Sequence, residues 1–381
     1  VWGQTATDFN NGDDVAYGMV VQPDGKIVVA GESDTQGIFH KQVALARYNS
    51  DGSPDTSFGE QGLAFGGVHN DDAGRDVALA SDGKFVVVGI RRGPSWDGLA
   101  VYRCHPDGSP DGSFNGLGFN VLPGALGPTY GQAVLVQPDN KVIAVGWTAV
   151  PNSAQPNRRQ VVVTRFNQDG TVDNSFETDI QVARESFWIR DAAFQPDGKI
   201  VVVGGHAGNM ILIRYNANGT LDTTFGNDGV VEVQEPGNNI ANAVAVLPNG
   251  DIIAAGYANG SNFGLLFIGP DGGQCRSCGN LLAGTHFWLK TDFGHDEMIN
   301  DILLQPNGRI LVAGGHRGGD VSTSTLLLAR YRFSILRGYQ LDTAFGDGGT
   351  LVGSVANRDV GRAIALDNEY RIVVAGYGHN G

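Results

Sequence analysis

The chain has 381 residues, 57 of them glycine, and only 17% are charged, below the roughly 25% of an ordinary soluble domain. That balance speaks against helices and for many short strands joined by Gly-rich turns. A formal net charge of −14 excludes a nucleic-acid partner, whose phosphates need a basic face, and no apolar run approaches the ~20 residues that span a bilayer.

No secretory leader is legible at Val1, so the numbering is expected to begin at a processed or trimmed end. Gln4-Thr5-Ala6-Thr7-Asp8-Phe9 reads as an isolated strand. A complete repeat follows. Strand one runs from Ala16 to Gln22, Pro23-Asp24-Gly25 turns the chain, and strand two runs from Lys26 to Gly31. Strand three is Val43 to Tyr48 and strand four is Gly62 to Gly66. Strand, Asp-Gly-type turn and strand together are a β-hairpin signal. In the linker from Asn49 to Gly59, Gly52 supplies a positive φ, Asp55 is placed to cap a single helical turn, and Phe58 is expected to tuck between sheets.

The turn phrase then returns along the whole chain. Aligned on the residue after the turn, Lys26, Lys84, Lys141, Lys199, Asp251, Arg309 and Arg371 stand 52 to 62 residues apart. A period that long, carrying four strand-like segments, marks a propeller blade rather than a solenoid turn. The expected fold is all-β: one domain over 1–381, a seven-bladed β-propeller with four-stranded blades of about 58 residues. Strand three is found only six times. The last blade therefore lacks strand three within 1–381, and the N-terminal strand is expected to close that blade. A C-terminal extension or another chain would donate the missing strand, because an open slot leaves unpaired edges.

Departures from the repeat are where specific function is expected, chiefly in the loops between second and third strands. The fifth repeat departs most, replacing its linker with Gly269 to Asn280 and introducing Cys275-x-x-Cys278. No second pair completes a four-ligand zinc site, so a local disulfide formed in an oxidising compartment is expected. Cys104 stands alone.

Three phrases recur in fixed order: Gln22-Pro23-Asp24-Gly25-Lys26-Ile27-Val28-Val29-Ala30-Gly31, then Ala44-Leu45-Ala46-Arg47-Tyr48-Asn49, then Asp51-Gly52 to Asp55 and Phe58-Gly59. Over essentially its full length the chain resembles the delta-60 repeat family of bacterial proteins. The resemblance implies a β-propeller of the kind carried by large secreted or cell-surface proteins, and it brings no common catalytic motif. The seventh copy departs at its turn, with Glu369-Tyr370 in place of Asp-Gly.

First strands of propeller blades line the central channel, and ligands collect at one mouth. One column of that strand reads Tyr17, Arg75, Gln132, Arg190, Asn242, Asn300 and Arg362. Arg75, Arg190 and Arg362 would favour a carboxylate, sulfate or phosphate, or would pair with neighbours in a water-filled channel. Asp76, Asp191 and Asp301 follow in the next column. With His206 and His316, both after Gly-Gly, they are the residues from which a general base would be drawn. Asp14, Asp72 and Asp359, at the entrance to strand one, are candidates for Ca²⁺, although turn and cap roles explain them equally. Trp96, Trp147 and Trp188 lie in or near variable loops and suit stacking on sugar rings or on a partner's side chains. The leading expectation is a secreted or cell-surface module that binds a protein or glycan at its loop face, with no obligatory cofactor. Two alternatives stand beside it: a hydrolase or lyase acting on an anionic or carbohydrate substrate, and a structural subunit of an extracellular assembly.

Overall fold

The computed structural model describes residues 3–9, 12–34, 41–66, 72–93, 97–122, 127–150, 158–177, 187–275, 278, 286–294, 296–317, 324–334, 338–353 and 358–379. Among them the chain is all-β. The first repeat is a sheet of β1 (Asp14–Val21), β2 (Ile27–Asp34), β3 (Lys41–Tyr48) and β4 (Leu63–Gly66), and the second is β5 (Asp72–Leu79), β6 (Phe85–Arg91), β7 (Gly98–Cys104) and β8 (Phe119–Leu122). The third contributes β9 (Thr129–Val136), β10 (Val142–Ala149) and β11 (Arg159–Phe166), and its expected fourth strand falls outside the described residues. The fourth contains β12 (Phe187–Phe194), β13 (Ile200–His206), β14 (Asn209–Tyr215) and β15 (Val230–Val233). The fifth contains β16 (Ile240–Val246), β17 (Ile252–Ala258), β18 (Asn262–Ile268) and β19 (Phe287–Thr291). The sixth is built from β20 (Asp296–Leu304), β21 (Ile310–Arg317), β22 (Ser324–Ser334), β23 (Gly338–Leu341) and β24 (Thr350–Gly353). The seventh hairpin, β25 (Arg358–Leu366) with β26 (Ile372–His379), joins that sheet through one parallel bridge, Ser324 to Arg358.

Packing divides the chain into two units. One comprises Val1–Ile189 with Ala365–Ala375, the other Arg190–Ile364 with Gly376–Gly381. In the first unit, Val28, Leu45, Phe58, Phe85, Val87 and Tyr102 share one buried cluster, so the faces of consecutive sheets pack directly together. The second unit repeats the device with Ile253, Leu265, Phe267, Ile310, Val312 and Tyr331. The second sheet is covered on both sides, so its central strand is apolar on both faces, with Phe85 and Val87 in one cluster and Val86 and Val88 in another. Phe85, Val86, Val87 and Val88 are all buried for this reason.

Five of the hairpins carry an irregularity that residue periodicity does not reveal. The ladders skip one residue between Ala16 and Gly18, Gly74 and Asp76, Gly131 and Ala133, Ala241 and Ala243, and Ile299 and Asp301. The skipped residues are Tyr17, Arg75, Gln132, Asn242 and Asn300, which makes these five members of the polar column β-bulges. A bulge turns one extra side chain out of the ladder. The same bulge explains the glycine that closes the turn phrase in these five repeats. A Cβ at Gly31, Gly89, Gly146, Gly256 or Gly314 would collide with the carbonyl of Val15, Ala73, Tyr130, Ile240 or Met298.

The N-terminal segment corrects an expectation. Residues 3–8 form no strand and do not complete a last sheet. Thr5 donates to the Gly52 carbonyl at 2.6 Å, Thr7 shares a hydrogen bond with the Tyr48 hydroxyl, and Phe9 packs on Ala44 and Ala46. Side-chain anchoring to the first repeat therefore replaces a backbone ladder. The linker after strand three is also not helical. Asp55 accepts from the backbone N–H of Ser57 at 3.1 Å and from its hydroxyl at 2.7 Å, a side-chain turn that leaves Phe58 fully buried. In the first unit, the turn of the seventh hairpin meets the first repeat. Asn368 donates to the Pro23 carbonyl at 2.8 Å, and Arg371 donates to that of Ser50 at 2.9 Å.

Candidate functional site

The three recurring phrases converge on one ion cluster. In the first repeat, Arg47 Nε reaches Asp55 at 2.7 Å and Lys26 reaches the same oxygen at 2.8 Å, while the Arg47 guanidinium lies over the Phe58 ring. Arg103, Asp111 and Lys84 repeat it, as do Arg165, Asp173 and Lys141, then Arg214, Asp222 and Lys199. Arg330, Asp342 and Arg309 form the version in the sixth repeat. Arg47, Arg103 and Arg214 also donate to the carbonyls of Pro106, Gln168 and Pro270 in the following repeat. The hydrogen bond from Lys26 holds the Asp55 carboxyl well below the usual carboxylate range, and that from Lys141 does the same for Asp173. For Asp111 and Asp222 burial opposes ionisation, yet Ser113 and Lys84, or Thr224 and Lys199, outweigh it. These clusters fasten repeat to repeat, and they are structural.

The polar column is likewise engaged locally. The Arg75 guanidinium lies over the Tyr17 ring at 4.2 Å and 3.6 Å from Glu32, to which Tyr17 donates at 3.4 Å. Arg362 donates to Asn300 at 3.3 Å and lies over Tyr377. The Arg190 charge acts on the Tyr257 hydroxyl, whose pKa is raised chiefly by burial. Gln132 is half-buried at its bulge. In the next column, Asp191 accepts from the backbone N–H of Ala192 at 2.7 Å and from that of Val244, in the following repeat, at 2.8 Å. Asp76 does the same with Val77 and Val134, and Asp301 with Ile302 and Ile364. Burial pushes the Asp76 carboxyl up to about 6 against those two donors.

His206 closes the tight turn to Asn209 and shares a hydrogen bond with Glu232 at 3.0 Å, where Asn209 also donates at 2.9 Å. The side chain of His316 and all of Trp96 lie outside the described residues. Asp14 accepts from the Phe9 N–H at 2.7 Å, and burial raises its pKa. Asp72 accepts from the Tyr102 hydroxyl at 2.8 Å, and Asp359 is buried. Among the described residues, the trio of potential metal ligands within 4.8 Å of one another is Asp251, Cys275 and Cys278, none of them one of the acidic entrance residues.

One cluster has an open face. Tyr130 and Trp188 occupy equivalent positions in the third and fourth repeats, where other copies place Val15, Ala73, Ile240, Met298 and Val360. Tyr130 stacks on Trp147 with centroids 4.1 Å apart, and Trp147 meets Trp188 edge-on at 6.0 Å. Arg159 lies between the indoles, 4.6 Å from the Trp147 centroid and 3.4 Å from that of Trp188. Tyr130 donates to Asp97 at 3.1 Å. Trp188 is 39% exposed, and burial lowers the Arg159 pKa. The group sits where strand two runs into the second-to-third strand loop. Trp147 was legible from the sequence; the contributions of Tyr130 and Arg159 were not, because nothing local marks them as neighbours.

Residues 22–58, 137–176 and 195–225 match the model of a family described as a domain of unknown function (DUF5122) beta-propeller, which supports a β-propeller repeat family. No curated protein matches the chain by sequence. A protein from Lactobacillus plantarum of known structure has the same fold, with a TM-score of 0.53 at 10% identity over 89% of this chain and 88% of that one. More distant are an α-L-arabinofuranosidase from Fusarium graminearum, with a TM-score of 0.49 at 11% identity over 85% of this chain and 95% of that one, and a virginiamycin B lyase from Staphylococcus aureus, with a TM-score of 0.47 at 12% identity over 85% and 94%. Among the described residues no helix is long and apolar enough to cross a membrane.

Proposed function

We propose that the chain is a secreted or cell-surface binding module of the delta-60 kind. In this reading its seven hairpins are the inner halves of seven blades of one closed propeller, and it recognises a glycan or a protein through the loop face. The contacts of Asn368 and Arg371 with the first repeat support the closed reading. The observation that carries the binding reading is the Tyr130–Trp147–Arg159–Trp188 cluster, an aromatic surface with an exposed indole, a guanidinium and the Asp97 carboxylate at its edges. Indole faces stack on the apolar side of a sugar ring or an aromatic side chain, and neighbouring charges fix its hydroxyls or amides.

The test is a glycan array and a capture assay with the wild-type chain and with Trp188→Ala, Trp147→Ala and Arg190→Ala. Loss of a central aromatic anchor costs about 2 kcal/mol or more, so either tryptophan variant should bind at least about thirtyfold more weakly while Arg190→Ala changes little. Unchanged capture by Trp188→Ala would remove the cluster from the binding surface.

A further inference from the structure

The fifth repeat replaces the ion cluster of its sisters at every position. Against Lys199, Arg214, Asp222 and Phe225 of the fourth repeat, the fifth aligns Asp251, Phe267, Cys275 and Cys278. Both cations are gone, the central carboxylate has become a thiol side chain, and the buried phenyl has become a second one. The backbone that held the original cluster survives, since the Gly269–Gly273 turn bonds as Asn216–Thr220 does and Gln274 bridges Ile268 as Leu221 bridges Tyr215. The replacement residues therefore meet: Asp251 is 3% exposed, Cys275 1% and Cys278 fully buried, within one apolar cluster. Cys275 Sγ lies 3.4 Å from Asp251 Oδ2, and Asn249 Nδ2 donates to the same oxygen at 2.7 Å.

We propose that Asp251, Cys275 and Cys278 are a redox-gated site for a thiophilic divalent cation such as Zn²⁺. In the oxidised chain the two sulfurs form a disulfide, and the site is shut. A dithiol reductant opens it: the reductant's two thiols become a disulfide while Cys275 and Cys278 become thiols. The cation then displaces two protons, giving two metal–thiolate bonds beside the carboxylate. The geometry suits this chemistry. Zn–S near 2.3 Å and Zn–O near 2.0 Å at tetrahedral angles put sulfur and oxygen about 3.5 Å apart, close to the 3.4 Å observed between Cys275 and Asp251. A Cα–Cα separation of 5.6 Å across Cys-x-x-Cys is short enough for both sulfurs to reach one ion.

The experiment reduces the full chain with a phosphine, which takes oxygen from water as the disulfide gains two protons, and then titrates Zn²⁺ or Co²⁺ under native mass spectrometry and absorption spectroscopy. One equivalent per reduced chain is expected, with a thiolate-to-cobalt absorption band, a raised melting temperature with Zn²⁺, and no uptake by the oxidised chain. Cys275→Ser should abolish the band. Asp251→Asn should weaken binding by at least about tenfold, the loss that even an outer partner brings, and Cys104→Ser should leave binding unchanged. If reduction loosens the fold, the same one-to-one uptake should accompany its recovery. A reduced chain that takes up no ion overturns the proposal, as does one that binds it equally well after Cys275→Ser.

Discussion

At the residue scale the molecule is governed by where it buries charge. Asp111 is 1% exposed and holds Arg103 at 2.6 Å and Lys84 at 3.2 Å. Breaking a buried pair by removing one partner leaves the other charge uncompensated and costs about 3–5 kcal/mol. Asp111→Asn, which keeps the shape, should therefore lower the unfolding free energy by about 3 kcal/mol in a denaturant titration. Asp82→Asn, at an exposed pair with the same Lys84, should fall within about 0.5 kcal/mol of wild type, because exposed pairs contribute little. Equal effects of the two substitutions would show that the clusters are decorative. The burial of Cys104, which pushes its thiol up to about 12, gives a parallel expectation. Thiolates rather than thiols are the reactive form, so the folded chain should resist alkylation at this residue until it is denatured.

At the scale of the element, the hairpin shows what sequence reasoning reaches and what it does not. The recurring turn phrase placed every hairpin, because an Asp-Gly turn flanked by apolar runs has few other solutions. The bulge escaped notice, since a skipped residue alters the ladder without altering the apolar pattern around it. The closing glycine was its only trace. Gly89 faces the Ala73 carbonyl so closely that any side chain must move backbone, and inserting volume into a packed site typically costs 1–3 kcal/mol, sometimes more. Gly89→Ala should therefore lose about 3 kcal/mol by thermal or chemical denaturation, although Ala is the smallest change available and φ there is ordinary. Gly112→Ala, at a glycine with nothing within 4 Å, should be neutral. The ion cluster escaped for a different reason. Lys26, Arg47 and Asp55 belong to three separate phrases, and only the folded sheet makes neighbours of residues 29 apart in sequence.

At the scale of the whole molecule, repetition multiplies small titrations into a measurable pH profile. Asp55, Asp111, Asp173 and Asp222 all have folded pKa values below the ordinary 3.8. A depressed acid contributes stability that is present above its unfolded pKa and is lost as pH falls toward its folded one. These four should therefore leave stability unchanged from pH 7 to about pH 4 and remove it steeply below. Asp76 acts in the opposite sense. Its folded carboxyl is raised from 3.8 to about 6, so the folded state binds a proton that the unfolded chain has already released, and stability rises as pH falls from above 6 toward 4. The melting temperature should thus climb slightly between pH 7 and pH 5 and collapse below pH 4. Asp76→Asn should flatten the climb without moving the collapse, because the amide still accepts one backbone N–H and no longer titrates. A melting temperature that declines steadily from pH 7 downward would mean that the repeated clusters do not stay ionised in the folded chain, and the account of how successive sheets are fastened would fail with it.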